Sequence, residues 1–348
     1  MTKNFSSLLI NWYNINQRDL PWRETRDPYK IWLSEIILQQ TRVNQGLPYY
    51  NKFINQYPHV QDLADAPEDE VMRLWQGLGY YSRARNLHEC AKSVVKNYDG
   101  KFPNTFQELL NLKGVGKYTA AAIASFAFGQ AVPVVDGNVF RVLARYYAIS
   151  DDISQPKTFT AFFNIANELI PEKQAASFNQ AIMELGATIC TPKKPDCGNC
   201  PVSLECEARI HHKQAELPVK KKKIKVKNRF LYYLIWQKDD QLAMKKRGAN
   251  DIWQGLFDFE LIETDAALSI QEVLEKISAK YSDSEVIEIS EPVKHLLSHQ
   301  KLEAVFVELK SNNPNIVSDT ALQYYTRQEV EELPKPRLIE NYLTSKNI

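Results

Sequence analysis

Leu112-Lys113-Gly114-Val115-Gly116-Lys117-Tyr118-Thr119-Ala120 sets two glycines two residues apart ahead of an alanine-rich helical run. A turn of this kind leaves backbone N–H groups unpaired at a helix start, where they can grip a phosphate oxygen without reading base sequence. Alone, such a pair marks only a turn. It gains weight from the downstream segment Val134-Val135-Asp136-Gly137-Asn138, where a carboxylate ends an apolar stretch just before a helix expected from about Val139. Asp136 or Asn138 in this place reads first as a plain N-cap. A carboxylate here also lies at the positive end of the helix dipole and is expected to stay ionised. Residues 118–135 carry no charge, but Thr119, Ser125, Gln130 and Pro133 interrupt them. They read as a buried core helix running into a loop, not as a membrane span.

Upstream, Ile31-Trp32-Leu33-Ser34-Glu35-Ile36-Ile37-Leu38 places a glutamate on the same helical stripe as Ile31 and Leu38. A glutamate on an apolar face is disfavoured unless it is paired or functional. Burial raises its pKa, so it can hold a proton near neutrality. The bland alternative is a structural ion pair with an arginine. Two carboxyl groups pushed to opposite protonation states suit glycosidic cleavage. One protonates the leaving group while the other stabilises positive charge on the sugar.

Downstream, Cys190, Cys197, Cys200 and Cys206 are spaced C-x6-C-x2-C-x5-C. With a single C-x2-C pair they suit a cubane iron–sulfur cluster better than the paired knuckles of a zinc finger. Lys193, Lys194 and Pro195 lie inside the loop that such a cluster would brace. The fifth cysteine, Cys90, reads as a small buried apolar residue. Four clustered cysteines argue for a reducing compartment and a metal, not disulfides. The first residues lack a basic start followed by an apolar stretch, so the expectation is a cytoplasmic protein with no membrane segment.

The chain has 348 residues, 44% of them hydrophobic, which suits two globular domains. Its net charge of +1 hides segregation: residues 220–229 hold seven basic and no acidic side chains, whereas 230–348 hold 13 basic and 20 acidic. Binding to nucleic acid must therefore use local patches and oriented amides, not bulk attraction. Three- and four-residue apolar steps make residues 1–212 helical. Residues 213–229, with Lys220 to Lys223, form a basic connector that is either a solvated linker or a DNA-backbone contact. From Phe230 the texture changes, with strands at 230–236 and 304–309 and a helix at 270–277, giving an α+β domain over 230–348.

Taken together, the glycine hairpin, the aspartate beyond it and the cysteine loop resemble the helix-hairpin-helix DNA glycosylases. The cysteine loop narrows the resemblance to the branch containing endonuclease III and the adenine DNA glycosylases. The resemblance implies a multidomain protein: an all-α glycosylase domain with a [4Fe-4S] loop at 190–206, then a nudix-like domain. It assigns the acid to Glu35 and the sugar-stabilising carboxylate to Asp136, with Tyr118 and Asn138 organising the site. Endonuclease III-like enzymes carry an attacking lysine where this chain has Tyr118. Lys117 is one residue early, a turn of roughly 100° on a helix, so little or no lyase activity is expected. Leu20-Pro21-Trp22-Arg23 matches the adenine glycosylases, with Arg23 at the adenine-contacting position. Leu38-Gln39-Gln40-Thr41 matches at the helix end, where Gln40 would enter the DNA stack.

Further along, Tyr80 in Gly77-Leu78-Gly79-Tyr80-Tyr81 falls where the family wedges an aromatic beside the opposite base. Gln180 falls near the pocket. Gly114 and Gly116 fall at the DNA backbone. The family's second domain recognises 8-oxoguanine opposite adenine, and Leu297-Ser298-His299 resembles its Phe-Ser-His turn. Leucine in the first place departs from the pattern; Ser298 and His299 keep it. Residues 327–332 echo the metal-binding nudix helix but have Gln328 where glutamate is needed, so an exposed helix is expected there. The implied substrate is double-stranded DNA containing adenine paired with 8-oxoguanine or guanine, acted on by a monomer. The rival readings are an endonuclease III-like glycosylase/lyase for damaged pyrimidines and a non-catalytic DNA-binding protein on the same scaffold.

Overall fold

A computed structural model describes residues 2–221, 226–249, 251–311 and 321–348. Lys222 and Lys223 of the basic connector lie outside the described residues. The chain forms two compact units. The first comprises Met1–Asp65 with Asn86–Lys222, and the second Ala66–Arg85 with Lys223–Ile348. No helix among the described residues is long and apolar enough to cross a membrane.

The first unit is built of helices among its described residues. Phe5 and Leu9 of the Thr2–Asn16 helix enter a core with Val139, Leu143, Phe162, Phe178 and Leu185. Phe5, Phe162 and Phe178 are fully buried, each worth on the order of 2–3 kcal/mol of transfer free energy. The Pro28–Leu38 helix starts where the Asp27 carboxylate accepts the Tyr29 N–H at 2.9 Å, with Pro28 at the first helical position. It buries residues on every face from Tyr29 to Ile37, the mark of a core helix. Its one acidic side chain, Glu35, is therefore carried inside.

The glycine turn joins a single helical turn, Phe106–Leu109, to the Lys117–Phe126 helix. Gly114 has φ +74°, and a Cβ there would stand 2.8 Å from Cβ of Asn86. Both facts require glycine. Gly116 caps the second helix with open space about its Cα and no side-chain cap. The first amides of that helix are thus left available.

The second unit is a mixed sheet. Its central strand, Lys227–Lys238, runs parallel to Gln300–Ser311 and antiparallel to Gln241–Lys246 and Glu260–Thr264. Side chains alternate between faces. Tyr232, Leu234, Trp236, Val305 and Val307 meet Val273 and Ile277 of the Ile270–Lys280 helix. On the opposite face Phe306 stacks on Tyr342 of the Arg337–Ser345 helix, with centroids 4.0 Å apart. The short Val293–Leu296 strand pairs with Gln300–Ser311 and leaves the Ser298–His299 turn exposed at the hairpin tip. Residues 66–85, helical in texture, belong to this unit because they are pinned into it. Gln76 accepts the Lys335 N–H at 3.0 Å, and Arg85 donates to the Gln254 carbonyl at 2.6 Å. The Arg327–Glu332 helix is largely exposed, as its sequence suggests.

Candidate active site

In the first unit a cavity of about 190 Å³ is lined by Arg23, Glu35, Tyr118, Asp136, Asn138 and Gln180, among others. Residues far apart in sequence thus converge. Glu35 is 7% exposed. Tyr118, one residue into its helix, donates its hydroxyl to Glu35 Oε2 at 2.6 Å. Burial pushes the Glu35 carboxyl up to about 7; the Tyr118 hydrogen bond works against this, and the neighbouring Asp136 adds to it. Glu35 can therefore carry a proton at neutral pH and give it up.

Asp136 is the N-cap of the Gly137–Tyr146 helix. Its Oδ1 accepts from the Asn138 and Val139 N–H groups, both at 2.8 Å, and Oδ2 accepts from Asn138 Nδ2 at 2.8 Å. Cap and site residue are the same group. Burial raises its pKa above the usual carboxylate value. The bonds from Val139 and Asn138 pull it back down.

Arg23 is held by an ion-pair network that the sequence does not advertise. Glu184, with a fully buried side chain, accepts from Arg23 Nη2 at 2.6 Å and from Arg18 Nε and Nη2 at 2.7 Å each. Burial alone would raise its pKa, but the two guanidinium groups hold it at about 2. Arg23 also lies over the Tyr13 ring, 5.4 Å from its centroid, and Tyr13 donates to Gln180. Trp22 is buried edge-on to Tyr50, at 5.1 Å between centroids, and stiffens the wall. Thr41 lines the cavity, whereas Gln40 is exposed with φ +54°. A non-glycine residue in the left-handed region signals a constrained turn.

Asn138 is fixed from two sides. Its Oδ1 accepts from Arg141 Nη2 at 2.7 Å, and Gly186 lies so near that a Cβ there would be 2.6 Å from Asn138 Cβ. Arg141 donates also to the Gly186 carbonyl at 2.8 Å and the Cys190 carbonyl at 2.7 Å. It therefore ties the Asp136–Asn138 cap to the start of the cysteine loop. Sequence reasoning misses Arg141, Gly186 and Glu184. The one usable signal is a charged residue inside an apolar helical run, which Glu184 shares with Glu35.

Cys190, Cys197, Cys200 and Cys206 line one small cavity, with Arg145 Nη1 3.3 Å from Cys190 Sγ. Among the described residues no three His, Cys, Asp or Glu side chains are grouped so as to hold a single metal ion. Four sulfur donors around a common cavity fit a larger, thiolate-held group.

Tyr80, Ser298 and His299 do not line the Glu35 cavity. They meet in the second unit around a cavity of about 420 Å³ that Trp253 and Leu297 also line. The Tyr80 and Ser298 hydroxyls share a hydrogen bond. Tyr80 is 41% exposed with φ +48°.

Residues 33–168 match the family described as HhH-GPD superfamily base excision DNA repair protein, and residues 231–345 match the NUDIX domain. An adenine DNA glycosylase of Buchnera aphidicola from Acyrthosiphon pisum is 40% identical over 261 residues, 74% of this chain and 75% of that protein. The Homo sapiens adenine DNA glycosylase is 47% identical over 222 residues, 61% of this chain and 41% of that one. Among solved structures, a thermostable thymine-DNA glycosylase aligns with TM-score 0.56 and 34% identity, covering 60% of this chain and 97% of its own. A non-covalent endonuclease III–DNA complex aligns with TM-score 0.52 at 21% identity, covering 61% and 98%, which is a likeness of fold.

Proposed function

This chain belongs to the adenine DNA glycosylase family, hydrolases of N-glycosyl bonds in base excision repair, and we propose that its particular substrate is adenine paired with 8-oxoguanine or guanine in duplex DNA. The observation that carries the chemistry is the pairing of Glu35, pushed up to about 7, with a hydrogen-bonded Asp136 in one cavity.

Glu35 gives its proton to N7 of an extruded adenine, which weakens the C1′–N9 bond. Asp136 faces the positive charge that grows on the sugar. Water adds to C1′ and releases a proton, completing hydrolysis. Arg23 and Gln180 hold the base, and Tyr118 and Asn138 orient the two carboxyl groups. Tyr118 stands where a lyase would need an amine, and it is already committed to Glu35. This supports a monofunctional enzyme. Gly114 and Gly116 present amides to the backbone, and Gln40 and Tyr80 replace stacking lost on extrusion. On this reading residues 1–212 carry excision and 230–348 read the opposite base, joined through 213–229, with Tyr80 lent from 66–85. Ser298 and His299 sense the damaged base. Cys190, Cys197, Cys200 and Cys206 would hold a [4Fe-4S] cluster that braces the Lys193–Lys194 loop. The same reading has the enzyme act as a cytoplasmic monomer.

Base release from duplexes with adenine opposite 8-oxoguanine, guanine or thymine tests this proposal. Release should be fast on the first two and slow on the third. A strong borohydride-trapped adduct, or preferential attack on oxidised pyrimidines, would favour the lyase reading instead.

A further inference from the structure

Resting on the reading of the second unit as the part that senses the base opposite adenine, we propose that Arg229 is a specificity-positioning residue for that base. It acts through Gln300 and Asp251, two residues that line the cavity holding Tyr80, Ser298 and His299.

Arg229 lies near the start of the central strand and is 6% exposed. All five of its N–H donors are taken. Nε and Nη2 bond the two oxygens of Glu263, at 2.6 Å each. Nη1 and Nη2 bond the two oxygens of Asp251 at 2.7 and 2.8 Å, and Nη1 also bonds Gln300 Oε1 at 3.1 Å. Glu263 is anchored in a strand paired with the central one, so the guanidinium is fixed to the sheet. From that anchor it reaches two residues of the cavity lining. Gln300 directly follows His299, and its carbonyl accepts the Leu297 N–H at 2.8 Å across the turn. Asp251 begins the segment that carries Trp253.

That segment is strained and clamped. Trp253 has φ +63° and is 9% exposed, a backbone state that a bulky side chain keeps only when its surroundings enforce it. Arg247 supplies part of the enforcement. It bonds Asp251, Asp258 and the Ile252 carbonyl, and its guanidinium lies 6.0 Å from the Trp253 ring centroid. Asp251 is thus shared between the buried Arg229 and the partly buried Arg247. A buried ion network adds little stability over well-packed apolar residues. Its value here is placement. 8-Oxoguanine differs from guanine by one carbonyl oxygen and one N–H, and reading so small a difference needs polar groups held to about 0.5 Å.

Deleting the arginine outright would take the guanidinium from Glu263 and leave Asp251 with Arg247 alone, so the link is cut at Gln300. Single-turnover rates with excess enzyme are measured on adenine opposite 8-oxoguanine and opposite guanine. The proteins are the wild type, Gln300→Ala, Gln300→Glu, Arg229→Lys and Ser298→Ala, with thermal melting of each. Gln300→Ala and Arg229→Lys should lower the 8-oxoguanine-to-guanine rate ratio about tenfold, the equivalent of ~1.4 kcal/mol. The rate opposite guanine should stay within about twofold. Gln300→Glu keeps an acceptor for Arg229 and should retain the ratio. An unchanged ratio in Gln300→Ala and Arg229→Lys overturns the proposal, as does equal slowing on both duplexes, the sign of a merely structural role. If Ser298→Ala still narrows the ratio in that case, the base-sensing reading survives without Arg229. A wild type that does not distinguish the duplexes overturns both.

Discussion

Tyr118 donates its hydroxyl hydrogen to Glu35 Oε2 at 2.6 Å inside the cavity that Arg23 and Asp136 also line. The bond favours the charged form of a carboxyl that burial drives toward the neutral one. The balance leaves the group at about 7. The tyrosine thus adjusts the acid.

Replacing Tyr118 by phenylalanine removes the one hydrogen bond that lowers the Glu35 pKa. The acid then stays protonated to higher pH, and the alkaline limb of the pH–rate profile moves upward. Single-turnover adenine release from about pH 6 to about pH 9 checks this. A limb that stays in place or moves down means that the bond does not tune Glu35.

Glu35→Gln should abolish base release yet stabilise the protein. The carboxyl sits at about 7 in the fold against 4.5 in the unfolded chain. Between those values the native state binds more protons than the unfolded state, so stability falls as pH rises and levels off above about 7. Glutamine has no proton to lose. Its gain over the wild type should grow from near zero at about pH 4.5 to ~3 kcal/mol at about pH 7.5. Urea unfolding at several pH values measures it. A pH-independent difference means that Glu35 is not held protonated.

The same physics explains which features are legible in the sequence. Glu35 in an apolar helix, Asp136 at a helix start and the four cysteines announce themselves by local pattern, and the structure places each where that pattern suggests. The partners of Arg23 do not, because Glu184 is 161 residues away in sequence and nothing local links them. The grouping of residues 66–85 with the second unit is equally hidden, since Lys335 and Gln254 hold them from far along the chain. Trp253 is silent in the sequence because its left-handed backbone is imposed by packing rather than by its own residue type.

Glu184→Gln tests the charge network. Its carboxyl is held at about 2 against 4.5 unfolded. The stability it contributes is present above about pH 4.5 and lost as pH falls toward 2. Glutamine at this site leaves Arg23 without its counter-ion, at a cost of ~3 kcal/mol at neutral pH. The deficit should shrink steadily below about pH 4. Denaturation profiles across acid pH measure the difference. A deficit that is undiminished at about pH 2.5 points to lost packing instead of lost charge.

Gly186→Ala probes how Asp136 is aimed. A Cβ at this position would stand 2.6 Å from Asn138 Cβ and 3.1 Å from its backbone, while Arg141 binds Asn138 Oδ1 and the Gly186 carbonyl together. The added methyl cannot be absorbed by a flexible tip. Asn138 must move, and its two hydrogen bonds to the Asp136 carboxylate move with it. Overpacking of this kind costs ~1–3 kcal/mol of stability. The effect on chemistry should be larger, because displacement of a catalytic group by about 1 Å costs on the order of a hundredfold in rate. DNA affinity should stay close to wild type, since the atoms nearest the added Cβ all belong to Asn138. Single-turnover release paired with duplex binding measures the split. Equal losses in affinity and rate mean that the helix contact supports the fold as a whole and not the aim of Asp136.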